Sequence, residues 1–227
     1  MTGTDTTLTP LDRQRWILVI GTIALGMTLI VTAWAAHLGW ALAACTAVVL
    51  NAIILWHIIA RKDALFARLF VFGIVAGLAE LPADHFSVVV KNVLTYPPAE
   101  PMLWTSPLYM PLGYSVILVQ FGWVAWRVMQ RHGMWASVLV TGAIGGLNVP
   151  IYEYFAKGAG YWTYHDTGML FNTVPYYIPA GEIIFMAVLP PLVRLMERSR
   201  MRTAAALGLV EGAIMYVAWG AAFALLQ

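Results

Sequence analysis

Seven apolar stretches lie at 16–36, 38–60, 66–90, 103–129, 134–156, 174–196 and 203–226, each near or above the roughly 20 residues that cross a bilayer as a helix. A soluble domain is about half apolar and a quarter charged. Here 61% of residues are hydrophobic, 11% are charged and the mean hydropathy is +0.76. Within hydrocarbon the backbone must satisfy its own hydrogen bonds, which leaves helices or a closed barrel, and uninterrupted apolar runs of this length suit helices. The expected fold class is all-α: a polytopic membrane protein of seven transmembrane helices, with residues 1–15 as a cytoplasmic N-terminal tail and 16–227 as a single domain.

The basic residues orient that domain. With a cytoplasmic N-terminus the inner segments hold Arg13 and Arg15, then Arg61, Lys62 and Arg68, then Arg127 and Arg131, then Arg194, Arg198, Arg200 and Arg202, leaving Lys91 and Lys157 outside. This is the asymmetry of the positive-inside rule. It predicts a multi-pass protein of the plasma (inner) membrane with its C-terminus extracytoplasmic. The formal charge of +2 is then a topogenic signal, and no nucleic-acid partner is expected. The first fifteen residues lack a cleavage pattern, so helix 1 is expected to remain as a signal anchor. Cys45 is the single cysteine, which excludes an internal disulfide and a multi-cysteine metal site.

Two long outer connections, TYPPAEPMLWTSPLYMP (95–111) and KGAGYWTYHDTGMLFNTVPYYIP (157–179), are denser in Pro, Trp and Tyr than an interfacial aromatic belt requires. At an offset of 68 residues, Gly77, Pro82, Thr95, Tyr96, Pro107, Tyr109, Pro111 and Gly113 fall on Gly145, Pro150, Thr163, Tyr164, Pro175, Tyr177, Pro179 and Gly181. The matching intervals predict a parallel internal repeat of units about 66–133 and 134–201, with a pseudo-twofold axis along the membrane normal.

That frame places four acids at one depth. Glu80 and Asp84 share a face of helix 3 in its outer half, Glu153 lies near the outer end of helix 5, and Glu182 lies about two turns into helix 6, while Glu211 in helix 7 is nearer mid-depth. Under the repeat, Glu80 meets Asn148, His85 meets Glu153 and Tyr114 meets Glu182. Ionisable groups in hydrocarbon are costly and mark sites or pathways. With every Lys and Arg at a membrane edge, at least one acid, Glu182 or Glu80 foremost, is expected to be held protonated as a proton donor. Pro82 between Glu80 and Asp84 removes a backbone donor and kinks the helix. Any one buried acid also serves as ordinary interhelical glue, bonded to Tyr or Asn. The expected arrangement is one cavity in the outer half of the membrane, reached by Glu80, Asp84, Glu153 and Glu182. The residues expected to bind substrate there are Trp104, Tyr109, Asn148, Trp162, Tyr164, Tyr176 and Tyr177, with fewer than a third of all aromatics lining the cavity.

His37, His57, His85, His132 and His165 lack HxxxH or HxxHH spacing, and no DDxxD, GxGxxG or Walker pattern occurs, so neither a metal nor another cofactor is expected. Acids and aromatics alone can start a carbocation on an alkene or epoxide and stabilise it over ring faces.

The W-x-Y element of Trp162 and Tyr164, the proline that follows and the glutamate-led PAGEIIF at 179–185 resemble the membrane-embedded lycopene cyclases of the heterodimeric or fused type. They also broadly resemble the small integral membrane terpene cyclases. In the lycopene cyclases the element is nearer P-x-E-E; here Gly181 stands for the first acid and Glu182 for the second. The resemblance implies a metal-free isoprenoid cyclase whose acid protonates a lipophilic, isoprenoid-like substrate drawn from the bilayer, and it makes Glu182 the general acid. From the residues alone, a proton-coupled small-molecule transporter or membrane receptor stays open as the alternative.

Overall fold

The computed structural model describes residues 8–227 as a bundle of seven helices long and apolar enough to cross a membrane. They are α1 (Pro10–Ala36), α2 (Trp40–Arg61), α3 (Ala64–Val90), α4 (Met110–His132), α5 (Met134–Ala159), α6 (Tyr177–Met196) and α7 (Met201–Leu226). Of the tail expected at 1–15, residues 1–7 lie outside the described residues. The rest is a correction: α1 starts at Pro10 rather than 16. Thr9 Oγ1 accepts from the Asp12 N–H (3.1 Å), the Asp12 carboxylate accepts from the Thr9 N–H (3.3 Å), and Pro10 opens the first turn. This reciprocal cap settles orphan donors that a membrane edge would leave costly.

α4 is central. It packs on α1, α2, α3, α5 and α6, while α7 lies against α3 and α6. Close helix approach relies on small residues, as expected without a hydrophobic drive between helices in lipid. A Cβ at Gly77 would come within 2.7 Å of the Pro111 backbone on α4, and one at Gly212 of α7 within 2.7 Å of the Ala79 backbone. Large apolar side chains such as Ile17, Ile59, Leu139, Leu147 and Val217 point outward and are exposed.

α3 is not one regular helix. Regular α geometry ends at Ala79 and resumes at Leu81–His85, and Phe86–Val90 is a π-turn closed by Lys91 N–H to the Phe86 carbonyl at 2.8 Å. Pro82 cannot supply an N–H, and the break falls at Glu80, as the kink expected there requires. Pro150, its counterpart at offset 68, sits inside an unbroken α5.

The two connections at the same end of the bundle, hereafter the hairpin end, hold the β structure. β1 (Leu94–Thr95) pairs antiparallel with β4 (Thr163–Tyr164), β2 (Met102–Leu103) with β3 (Ser106–Pro107), and β5 (Met169–Leu170) with β6 (Val174–Pro175). The helices expected from 103 and 174 therefore start later, at Met110 and Tyr177. Proline at 101 and 107 and the positive φ of Trp104 (61°) favour a hairpin over a helical turn. In the β1–β4 pair Thr95 lies opposite Thr163, the position 68 residues on.

Candidate functional site

A chamber of about 500 Å³ occupies the hairpin half of the bundle, and Glu80, Asp84, Glu153 and Glu182 all line it. α3 contributes Glu80 and Asp84 across its proline break, α5 contributes Glu153, and α6, which starts at Tyr177, contributes Glu182 in its second turn. Each of the four is 7% exposed or less. The roof comes from the connections through Leu94, Tyr96, Tyr161, Trp162 and Tyr164, the apolar flank from Ile23, Gly26, Met27 and Ile30 of α1 and Ala43, Ala47 and Leu50 of α2. At the floor Gln120 donates to Thr22 Oγ1 at 3.0 Å.

The acids differ in their partners. Asp84 receives the Tyr96 hydroxyl, which lies 2.8 and 2.9 Å from its two oxygens. Glu153 accepts the Trp162 indole N–H at 2.6 Å and, weakly, the Tyr164 hydroxyl at 3.4 Å. Glu182 lies beside the Trp219 indole, and Glu80 lies in reach of the charges of Asp84 and Glu182 while its Oε1 has no hydrogen-bond partner. Burial first, and the facing acids second, keep the Tyr96 and Tyr164 phenols of the roof in their proton-donating form.

No Lys, Arg or His lines the chamber among the described residues. Lys91 sits over the rings of Phe86 (5.4 Å) and Phe223 (4.9 Å), and Lys157 donates to the Asn172 carbonyl. Arg15, 9% exposed, is engaged at the opposite end of the bundle with Asp63 and Asp12. At the roof, Glu100 is buried behind Tyr109; burial pushes its carboxyl up to about 7, the facing Tyr109 hydroxyl works against the shift, and the Asp84 charge adds to it.

Of the expected substrate-binding residues, Tyr109, Asn148, Trp162 and Tyr164 line the chamber. Three do not. Trp104 is 58% exposed at the turn of the first hairpin, stacked on His85 with centroids 4.3 Å apart. Tyr176 is exposed and packs by Gly168. Tyr177 is buried against Trp219 and Phe223, with its hydroxyl donated to Ser87 Oγ at 3.1 Å. The Glu80 with Asn148 and Tyr114 with Glu182 pairs from the repeat share the chamber, whereas His85 is outside it and Glu153 inside. Sequence reasoning did not single out Tyr96, Tyr152, Tyr161, Gln120 or Trp219 as lining residues; the repeat, which sets Thr95 and Tyr96 on Thr163 and Tyr164 at offset 68, was the available signal for Tyr96. Glu211 is fully buried with both carboxyl oxygens unpartnered, near Glu182 but outside the lining.

Fold and chamber together define a polytopic helical membrane protein with an acidic, aromatic cavity in one half of its bundle. The sequence matches the family described as a domain of unknown function, DUF6989, over residues 81–226, more than half of the chain, and the chain belongs to that family. The matched stretch contains Asp84, Glu153 and Glu182 and starts just after Glu80. No curated protein and no solved structure matches the chain.

Proposed function

We propose that this is an integral membrane acid catalyst of the isoprenoid cyclase kind, acting without metal on a lipophilic substrate taken from the bilayer. The observation that carries it is the convergence of four carboxyl groups and nine aromatic side chains on one cavity that no basic residue lines among the described residues. In the reaction, a carboxyl O–H gives its proton to a double-bond carbon or an epoxide oxygen. The cation formed on the neighbouring carbon is attacked by a second double bond, closing a ring, and a C–H proton then leaves to a carboxylate. The product is an isomer of the substrate. Glu182 is the general acid, Glu80 and Asp84 orient or accept the proton, and the faces of Trp162, Trp219, Tyr114 and Tyr152 stabilise the cation.

A proton-coupled carrier or a receptor would use the same acids, but a carrier needs an aqueous route toward both faces. The floor is the Gln120–Thr22 pair, and beneath it Trp123, Phe66 and Leu69 are fully buried, which supports a chamber open at one level. The positive-inside asymmetry supports a cytoplasmic N-terminus in a plasma membrane, with the hairpin end extracytoplasmic. The β1–β4 pairing of Thr95 with Thr163 supports an origin by duplication of a helix pair.

The test is expression in a host that makes geranylgeranyl and carotenoid precursors, with products read by mass spectrometry. A new compound of unchanged mass is expected. A gain of water redirects the proposal to hydration, and no change in any precursor in the presence of folded protein overturns it.

A further inference from the structure

The charges in the chamber do not balance within the protein. Four carboxyl groups line it, no Lys, Arg or His does among the described residues, and Glu80, 1% exposed, has its Oε1 without a hydrogen-bond partner. Balance must come from protons or from the occupant. Asp84 and Glu153 already accept donors from Tyr96, Trp162 and Tyr164, and Glu182 has the Trp219 indole alone beside it, which leaves Glu80, with its unpartnered oxygen, and the second oxygen of Glu182 to face a positive centre.

The walls complement that centre. Tyr114, Tyr152, Trp162 and Trp219 present rings to the same space, and aromatic faces attract cations through their quadrupoles, more strongly when water is excluded. The opposite flank, from α1 and α2, is aliphatic apart from Thr22 and Thr46. A volume of about 500 Å³ is that of a site for a compact ligand of drug size. Acids and ring faces on one side with an aliphatic flank on the other favour an amphiphile with a positive head and an apolar tail. They disfavour an anionic lipophile, whose head would meet unpaired carboxyl groups.

We propose that the chamber is a binding site for lipophilic organic cations, a tertiary or quaternary ammonium carried on an apolar chain. This extends the catalytic reading, in which a carbocation occupies the same position, but it stands on binding alone. The head seats between Glu80 and Glu182 under the Trp162 and Trp219 rings, and the tail runs along α1 and α2.

The experiment uses the full chain in lipid nanodiscs and three probes of equal chain length: N,N,N-trimethyldodecylammonium, dodecanol and dodecanoate. Binding is read by quenching of tryptophan fluorescence with a brominated analogue of each probe, against empty nanodiscs as the partition control. The ammonium is expected to bind roughly tenfold to a hundredfold more tightly than the alcohol, the range that desolvated cation–π and charge-assisted contacts supply, and dodecanoate is expected to bind most weakly. In the Glu80→Gln, Glu182→Gln double variant that preference should fall to within about twofold, while dodecanol affinity is kept, which also shows that the variant is folded. Equal binding of ammonium and alcohol, or a preference that survives in the double variant, overturns the proposal. Cation binding in a protein that makes no isomeric product leaves this site standing and removes the catalytic reading. A cyclised product without cation preference does the reverse.

Discussion

Replacing Asp63 by Asn should be among the most damaging single changes outside the chamber. Asp63, 1% exposed in the turn between α2 and α3, takes Arg15 Nε at 2.8 Å and Nη2 at 2.7 Å, while Nη1 of the same guanidinium reaches Asp12 at 3.1 Å. Arg15 also lies over Phe66 (5.7 Å) and Trp123 (5.1 Å), and His57 Nε2 is 3.3 Å from Asp63. Removing one partner of a buried pair costs about 3–5 kcal/mol, and here it leaves Arg15 with Asp12 alone at 3.1 Å. Asn retains the cap that Asp63 makes with the Leu65 and Phe66 N–H groups, so the loss reports the charge. For a chain of this size 1 kcal/mol corresponds to about 2–4 °C, giving a fall in Tm of roughly 6–20 °C, followed by near-UV circular dichroism in detergent. The double variant Arg15→Met, Asp63→Asn should recover part of it: neither Arg15 nor Asp63 is then stranded, while Asp12 loses Arg15 and keeps only the Thr9 N–H. The pH dependence has a definite sign. Burial alone would raise the Asp63 carboxyl, but the Arg15 hydrogen bonds and charge outweigh it and hold it below its ordinary value. The stabilisation is thus present above the unfolded value of about 3.9 and is lost as pH falls through the lower folded one, and Asp63→Asn should abolish that component of acid sensitivity. A fall in Tm below about 2 °C for Asp63→Asn, or a double variant as unstable as the worse single one, refutes the reasoning.

Glu100 has the opposite sign: raised from 4.5 to about 7, it makes the folded state bind the proton more tightly, so stability declines as pH rises across that window. The shift corresponds to at most about 3 kcal/mol, reduced by screening to about 1–2 kcal/mol, and Glu100→Gln should flatten Tm against pH between those values. Trp162→Phe removes the 2.6 Å donor to Glu153 and should cost about 1.5–3 kcal/mol; an unchanged Tm would mean that this bond does not tie the roof to α5. Gly77→Ala places a Cβ 2.7 Å from the Pro111 backbone and should cost about 1–3 kcal/mol by overpacking, whereas Gly113→Ala meets nothing within 4 Å and should be neutral; equal Tm values for the two would contradict the packing described for α3 and α4.

The sequence was most informative where one force dominates. Apolar length set the number of helices, and the cost of burying carboxyl groups in lipid brought Glu80, Asp84, Glu153 and Glu182 together. It was less informative where competing forces are close in size. Residues 103–109 are apolar enough to extend α4, yet the prolines and the Trp104 turn make a hairpin. The same competition at Val174 and Pro175 delays α6 to Tyr177. Whether an interfacial aromatic faces the chamber or the surface depends on helix phase within one or two residues, and Trp104 and Trp162 are indistinguishable by composition. The break at Glu80 was signalled by Pro82, but Pro150 gives no such break.

The four acids do not share the work equally, and their hydrogen bonds divide them. A carboxyl that already accepts donors is suited to remain an acceptor, which assigns Asp84, clasped by Tyr96, and Glu153, held by Trp162 and Tyr164, to proton acceptance and to anchoring. Glu80 has an oxygen without a partner and Glu182 has one neighbouring donor, the Trp219 indole, against two for Glu153, so either can turn an O–H toward the chamber. A general acid contributes roughly 10²- to 10⁴-fold in rate. On the proposed catalytic reading, Glu182→Gln should lower turnover by that factor with Tm unchanged, because the amide keeps the shape and cannot give the proton. Glu153→Gln should lower Tm by more than it lowers rate, since its amide oxygen still accepts from Trp162 but without the charge that strengthens the bond. Isomer formation followed by mass spectrometry, alongside Tm for each variant, separates the two roles. Full activity in folded Glu182→Gln and Glu80→Gln, with Asp84→Asn inactive, would show that hydrogen-bond vacancy does not mark the donor and would move the proton to the acid under Tyr96.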